Sequence, residues 1–257
     1  MANLDAVNIK KGKVGANRRN NDRRVSGLIV SSPVVVDLAF KEPVKLYGLF
    51  DAEQYGITAA FDTTNNVNVY RHVREFYRMA GEGVELNFML VGQAETLQTI
   101  SEDTAGDKFK LLLASADFKI RQLAIALNPI EDEENPIVHV DGLAPDVFGA
   151  IPTAQGAADW AYEQFMPTHI FLEGYNLNGL SSVVPDLRAI ENLSGTKVTL
   201  VIGQDWNYAE TKTGDAKKFA DVGTVLGVCA SAAINQNIGD NEAFNLTEAT
   251  KNAWLVP

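Results

Sequence analysis

The sequence predicts an α/β fold, with a mixed or parallel sheet and crossover helices, preceded by a small α+β portion and an extended N-terminal arm. The sheet is predicted because short apolar runs alternate with helical patterns from residue 120 to residue 234, the order that parallel strands and crossover helices produce. The composition agrees, since 257 residues that are 46% hydrophobic and 21% charged can bury a core without disulfides. We divide the chain into an arm (1–24), an α+β part (25–118) and an α/β region (119–257).

The strongest pattern in the α+β part is an amphipathic helix predicted over 68–80. Its apolar residues recur at helical spacing and share one face, namely Val69, Val73, Phe76 and Tyr77. The charged residues are assigned to the opposite, solvent-facing side: Arg71, Arg74, Glu75 and Arg78. The remaining predicted elements are strands at 27–36 (split by Pro33), 41–49 and 85–91, a short helix opened by Asp51, and a helix at 108–116.

Three strand-and-helix pairs are predicted in the α/β region. The strands are expected at 120–127, 169–172 and 197–202, and the helices at 153–165 (capped by Thr153), 184–192 and 217–234. Small residues in the last helix, among them Gly223 and Gly227, are expected to let it lie close on the sheet. The stretch at 131–136, which opens with four acidic residues, is interpreted as a solvated loop or hairpin tip.

Charge is divided unevenly along the chain. The net charge of −11 combines a +5 arm, with seven basic residues against two acids, and a −16 remainder, with 15 basic residues against 31 acids. An acidic body argues against general nucleic-acid binding, and a basic arm on it favours self-assembly through contacts of opposite charge. The candidate assembly contacts are the arm residues Lys10, Lys11, Lys13, Arg18, Arg19, Arg23 and Arg24 and the acidic residues Glu131, Asp132, Glu133 and Glu134.

The sequence predicts a soluble protein of a reducing compartment. Cys229 is the only cysteine, which excludes an internal disulfide and a cysteine-based zinc cluster. No signal peptide is visible, and the longest apolar run, 222–234, is too short to span a bilayer. We therefore expect no membrane anchor and synthesis in the cytoplasm.

Motifs for catalysis and for cofactors are missing from the sequence. It contains neither a phosphate-binding G-x-x-x-x-G-K-[ST] loop nor a G-x-S-x-G nucleophile, and Cys229 lies in an apolar helical segment. The three histidines, His72, His139 and His169, are far apart in sequence. His139 and Asp141 would face one side of a strand as metal ligands, but a turn before Gly142 explains both residues and is the preferred interpretation. We expect no enzyme activity, no cofactor and no metal.

One position keeps an enzymatic alternative open. Asp205 follows the strand predicted at 197–202, at the carboxyl end where open α/β sheets bind ligands. It would hold a cation or act as a base in a hydrolase-like enzyme. The competing interpretation is a turn in which Asp205 bonds nearby backbone amides. A third alternative is an adaptor whose basic arm binds acidic partners.

Several stretches resemble contractile tail sheath proteins of phages, and most closely the divergent sheath-like tail proteins of Bacteroidetes prophages. They are VSGLIVSSPVV (25–35), KLYGLFDAEQYGI (45–57) and VYRHVREFYRMAGEGVELNFMLV (69–91), followed by DLRAIENLSGTKVTLVIGQD (186–205) and FADVGTVLGVCASAAINQNIG (219–239). The resemblance covers most of residues 25–240. It rests on apolar and glycine positions, with no catalytic signature.

The resemblance implies a virion structural protein that forms a helical tube around an inner tail tube and contracts to drive that tube into a target cell. Its partners would be further copies of itself, the inner tube and baseplate proteins, in a phage tail or a related injection device. Residues 1–24 would be the arm that joins neighbouring copies. Sheath proteins commonly continue into a C-terminal domain and arm, and we expect these to be missing after Trp254.

Overall fold

The computed structural model describes residues 25–130, 138–176, 195–232 and 253–255, together with Leu187, Ile190 and Leu193. Six strands form one mixed sheet in the order β2-β3-β1-β4-β5-β6, in which β2 alone among these six is antiparallel to its neighbour. The six strands are β1 (Val25–Ser32), β2 (Val44–Leu46), β3 (Leu86–Gly92), β4 (Ile120–Ala126), β5 (His169–Glu173) and β6 (Val198–Val201). The predicted α/β class and mixed sheet are confirmed.

Eight α-helices are described. They are α1 (Leu49–Gln54), α2 (Ala59–Asn65), α3 (Val69–Ala80), α4 (Leu97–Glu102), α5 (Phe109–Ser115), α6 (Pro145–Glu163), α7 (Trp206–Ala209) and α8 (Val222–Ser231), and a 3-10 helix spans Gly214–Lys218. A second, two-stranded sheet consists of β7 (Gly203–Asp205) and β8 (Ala253–Leu255). None of the described helices has the length and apolar character needed to cross a bilayer.

Helices cover both faces of the sheet. Alternate residues of β1 point to opposite faces, as the pleat of a strand requires, so Ile29 packs with α4, α5 and α6 while Leu28 and Val30 pack with α1, α3 and α8. We call the edge where the parallel strands begin the amino edge and the edge where they end the carboxyl edge. Helices α4 and α5 return the chain from the carboxyl edge to the amino edge between β3 and β4, and α6 does so between β4 and β5.

The closest helix contact is between α3 and α8. A Cβ atom on Gly227 would lie 2.5 Å from the carbonyl oxygen of Phe76, and one on Gly223 would overlap the carbonyl group of His72. The small residues of α8 therefore permit close contact with α3, whereas the sequence suggested that they face the sheet. Burial of both helices against the sheet holds them at this distance.

The helix predicted over 68–80 is confirmed as α3, with Asn68 as N-cap. Three predicted helix starts are wrong. The helix expected from Thr153 begins at Pro145, because a proline fits the first helical position, and it continues through Pro152. The Thr153 hydroxyl instead donates to the carbonyl oxygen of Ala150 at 3.1 Å.

The short helix assigned to Asp51 begins two residues earlier, at Leu49, with Gly48 as N-cap. Asp51 therefore lies in the first turn, where its carboxylate accepts the backbone N–H of Tyr47 at 2.7 Å. The last predicted helix is shorter than expected, since α8 begins after Asp221. The loop predicted at 131–136 lies outside the described residues, as do all but Leu187 and Ile190 of the helix predicted at 184–192.

Candidate functional site

Ionisable residues, most of them buried, meet at the carboxyl edge of the sheet, between α3, α8, β5 and β7. We call this group the buried charge cluster, and its members are Arg71, His72, Glu75, Glu173, Asp205 and Asp221. Its two fully buried carboxylates belong to Glu75 and Glu173. Because burial removes the hydration of a charge, each charge in this cluster needs a close partner that offsets that loss.

His72 and Glu173 form the innermost pair. The Nε2 atom of His72 lies 3.3 Å from Oε1 of Glu173, and Oε2 of Glu173 accepts the backbone N–H of Leu127 at 2.6 Å. Burial alone would lower the pKa of His72, but Glu173 and then Asp221 outweigh it, and the pKa is raised. Burial raises the pKa of Glu173, against the opposing effect of His72. The pair ties α3 to the end of β5.

Arg71 is the centre of the more peripheral half of the cluster. Its guanidinium lies 3.0 Å from Glu75, 3.3 Å from Asp221 and 3.8 Å from Asp205, as N to O distances. The same group stacks over the ring of Tyr208 at 4.2 Å. Burial acts to lower the pKa of Arg71, but Asp221 and Glu75 raise it overall, so the side chain stays charged. One arginine thus joins α3, α8 and the segment after β7.

Asp205 accepts hydrogen bonds from nearby backbone amides, which was the second of the two interpretations that the sequence allowed. Its Oδ1 accepts the N–H groups of Asn207 at 2.9 Å and Tyr208 at 3.4 Å, which stabilises the first turn of α7. Its Oδ2 faces Arg71. Both carboxylate oxygens therefore have partners that hold the chain in place.

Another buried acid, Asp62, stabilises the first turn of α3. The carboxylate of Asp62 accepts the N–H groups of Tyr70 and Arg71, both at 2.9 Å, and so satisfies two donors at the first turn of the helix. Burial raises the pKa of Asp62 to about 6, against the effect of these hydrogen bonds. Lys212 lies nearby and donates to the carbonyl oxygens of Asp62 at 3.1 Å and Val67 at 2.7 Å.

A small cavity opens beside the cluster and is lined by Asn68, Arg71, His72, Tyr208 and Asp221 among others. It has room for about one water molecule, which is what a polar cavity of this kind holds. Both ring nitrogens of His72 and Oδ1 of Asn68 lack an aligned partner within the described part of the chain, so a water there would complete their hydrogen bonding. The arrangement is suited to fixing α3, α8, β5 and β7 together.

Residues 6–255 match the family model described as DUF2586, N-terminal domain. The chain belongs to the DUF2586 family. Among solved structures, it is similar to the cryo-EM structure of the anti-feeding prophage (AFP) helical sheath in its contracted state, with 12% sequence identity and a TM-score of 0.47. The similarity covers 84% of this chain and 48% of the sheath chain, so the chain spans about half the length of that structure. No curated protein matches the chain in sequence.

The candidate assembly contacts of this DUF2586 chain lie outside the described residues, both those in the arm and those at 131–134. The histidines are described and are separate. His139 contacts the carbonyl oxygen of Asn176 at 2.7 Å, and His169 contacts the hydroxyl of Thr199 at 2.8 Å. Within the described ranges, no three His, Cys, Asp or Glu side chains could hold a metal ion together. Cys229 is half-buried and packs at the rim of the core.

The sequence interpretation missed the buried charge cluster. It placed Arg71 and Glu75 on the solvent face of α3, whereas both are buried. Their i,i+4 spacing was a signal that they pair. The other carboxylate partners of Arg71, Asp205 and Asp221, lie more than a hundred residues later in this DUF2586 chain, and local periodicity carries no information about contacts at that separation.

Proposed function

We propose that the chain is a structural subunit of a contractile tail sheath, which polymerises by exchange of terminal segments and by lateral contacts into a helical tube around an inner tail tube. The observation that carries the proposal is the pairing of β7 with β8. The finer elements, namely the inner tube and baseplate partners, the tail particle and the kinship with Bacteroidetes prophage proteins, rest on the sequence resemblance of residues 25–240.

The connection described between β8 and β7 is a backbone pairing. Gly203, Gln204 and Asp205 face Leu255, Trp254 and Ala253 in antiparallel register, in a sheet separate from the six-stranded one. Backbone hydrogen bonds of this kind do not depend on which copy supplies the strand, so the 253–255 segment of a neighbouring copy fits the same position. Exchange of this strand would link copies in a head-to-tail order, and a head-to-tail contact that does not close a ring produces a helical filament.

β7 is a firm anchor for such a strand. Asp205, its last residue, is held by Arg71 and by the backbone of α7, and the backbone N–H of Asp221 donates to the carbonyl oxygen of Gly203 at 2.8 Å. A strand that pairs with β7 is therefore connected to the buried charge cluster. The division of charge between a +5 arm and a −16 remainder supports contacts between copies as well.

Negative-stain electron microscopy of the full chain tests the proposal. Tubes or stacked rings are expected at micromolar concentration, whereas monodisperse monomers at all concentrations would overturn it. Deletion of residues 1–24 should abolish the assemblies while the thermal unfolding of the body is retained. Assembly that is unchanged by this deletion would contradict the role of the arm.

A second experiment addresses the strand. Trp254→Pro removes a backbone N–H from the middle of β8, and it should abolish tubes without changing the unfolding midpoint of the six-stranded body. Trp254→Ala is the matched control, because it retains the backbone donor and should retain tubes. Equal loss of tubes in both variants would show that the backbone pairing is not the link.

A further inference from the structure

Two phenylalanines occupy an unusual backbone conformation at the amino edge of the sheet. Phe118 has φ 57° and Phe165 has φ 62°, in the left-handed region where a bulky side chain is strained and glycine is favoured. Phe165 follows α6, and its N–H donates to the carbonyl oxygen of Tyr162 at 3.0 Å. Phe118 follows α5, and its N–H donates to the carbonyl oxygen of Leu113 at 2.9 Å. Glycine would make the same bonds at lower cost, which indicates that the aromatic side chains are used.

The two rings belong to neighbouring turns. Phe118 lies two residues before β4 and Phe165 lies four residues before β5, and these two strands pair in parallel from Gln122 and His169 onward. The hydroxyl of Thr168 also donates to the carbonyl oxygen of Ile120 at 3.1 Å, which joins the two turns.

The rings are accessible. Phe118 is 44% exposed, Tyr162 61% and Phe165 92%. Two exposed carboxylates accompany them, those of Asp117 and Glu163. We call these five residues the aromatic edge patch.

The chemistry of the patch suits cationic side chains. An aromatic face beside a carboxylate offers a lysine or arginine both a cation–π contact and an ion pair. The structure contains one example, since the Lys197 ammonium lies 4.5 Å from the centre of the Tyr162 ring. The Lys119 ammonium lies 3.8 Å from the Asp117 carboxylate. Both side chains are exposed, so the ion pair is weak and an arginine can displace Lys119 from Asp117.

We propose that the chain's own basic segment, residues 10–24, docks on the aromatic edge patch of the same copy. The segment carries all seven basic residues of the arm, with Asp22 as its acid. It enters the body at Val25, which pairs with Ile120, two residues from Phe118. Crossing the two strand spacings from β1 to β5 takes about 10 Å, or roughly three extended residues, so Arg18 and Arg19 are within reach of Phe165.

The short connection between the basic segment and the aromatic edge patch favours docking within one copy. A segment tethered next to its binding surface has an effective concentration in the millimolar range, far above that of a second copy in dilute solution. The free subunit therefore holds its arm on its own body, and the arm is released when copies assemble. This inference goes beyond the proposed function and stands without it, because the docking takes place in the monomer.

Photo-crosslinking in the full chain tests the docking. The crosslinking amino acid p-benzoylphenylalanine replaces Phe165 in one variant, and replaces Val36 in the control. Val36 is equally exposed, at 92%, but lies beyond the carboxyl edge. Equal amounts of ¹⁴N and ¹⁵N protein are mixed at dilution and irradiated. The expected result is a crosslink from position 165 to residues 10–24 within one copy, and none from position 36.

Each other outcome overturns the proposal. Crosslinks between ¹⁴N and ¹⁵N copies would assign the patch to a second copy, and crosslinks outside residues 10–24 would assign it to another occupant. Failure here with tubes present in the electron micrographs would reject the docking alone, while docking without tubes would reject the sheath proposal alone.

Trypsin cleavage in the arm provides an independent measurement. If docking holds about nine-tenths of the copies, the double variant Phe118→Gly, Phe165→Gly should be cleaved about tenfold faster at the arm arginines than the wild type. Glycine suits both backbone positions, so the variant keeps its fold, which thermal unfolding verifies. Val36→Gly should leave the rate unchanged. Equal rates in the double variant and the wild type would overturn the proposal.

Discussion

The imidazole of His72 lies 3.3 Å from the carboxylate of Glu173, and both side chains are fully buried between α3 and β5. Because Glu173 and Asp221 raise the pKa of His72 against the effect of burial, the folded chain binds this proton more tightly than the unfolded chain. The free energy of unfolding should therefore fall as the pH rises from about 6.5 through the raised pKa. Urea unfolding at a series of pH values between 6 and 9 measures this slope.

His72→Gln should alter that slope, since the His72 proton is gone and the raised pKa of Glu173 remains. His169→Gln is the matched control: the pKa of His169 is lowered by burial, so its own contribution has the opposite sign and its loss leaves the decline in place. A slope that persists unchanged in His72→Gln would show that the pair is not its source.

Asp62 predicts a second pH dependence, in the acidic range. Burial raises its pKa to about 6, so the folded chain binds a proton more tightly here than the unfolded chain does. This contribution stabilises the fold at low pH and is lost as the pH rises from about 4 to about 6. Asp62→Asn should lack it, as shown by comparing unfolding free energies at pH 4.5 and pH 7. An identical difference in both proteins would contradict the assignment.

Arg71→Met should destabilise the chain by about 3–5 kcal/mol, because it removes the buried cation that Glu75 and Asp221 share, and only Glu75 keeps other arginine partners, Arg74 and Arg78. Arg74→Met serves as the control on the same helix. Arg74 also contacts Glu75, at 3.3 Å, but it is partly exposed, and its loss should cost about 1 kcal/mol or less. Chemical denaturation measures both. Similar losses in the two variants would mean that the cluster is not the stabilising feature.

Gly227→Ala should cost roughly 3 kcal/mol, because its methyl group would be forced against the backbone of Phe76 and would push α8 from α3. Gly156→Ala, in α6, provides the comparison. No atom lies within 4 Å of a Cβ at that position, so alanine should stabilise the helix by about 0.5–1 kcal/mol. Thermal unfolding should shift in opposite directions for the two variants, and shifts of the same sign would be inconsistent with the contact.

The sequence was most informative where a signal is local. The apolar spacing of Val69, Val73 and Phe76 defined α3, and the apolar runs that became β3, β4 and β5 were identified within one or two residues. The helix start predicted at Thr153 was wrong because Pro145 occupies the first helical position and the helix continues through Pro152.

The candidate site was predictable in one part only. Asp205 was identified from its position after a strand, and its bonds to backbone amides were one of two interpretations. The burial of Arg71 and His72 followed from contacts with Glu173 and Asp221, which come from β5 and from the start of α8. The helical pattern of α3 assigns charged residues to solvent by default, and the partners that reverse this assignment are distant in sequence.

The pairing of β7 with β8 has a mechanical consequence. A force that pulls on β8 along its axis loads the backbone bonds to Gly203, Gln204 and Asp205 together in shear. From Asp205 that load passes through the Arg71 guanidinium into α3, and from there across the glycine contact into α8. Under the proposed strand exchange, tension on a neighbouring copy's strand would reach the centre of the molecule, and we expect the subunit to move as a rigid body when an assembly of copies is deformed.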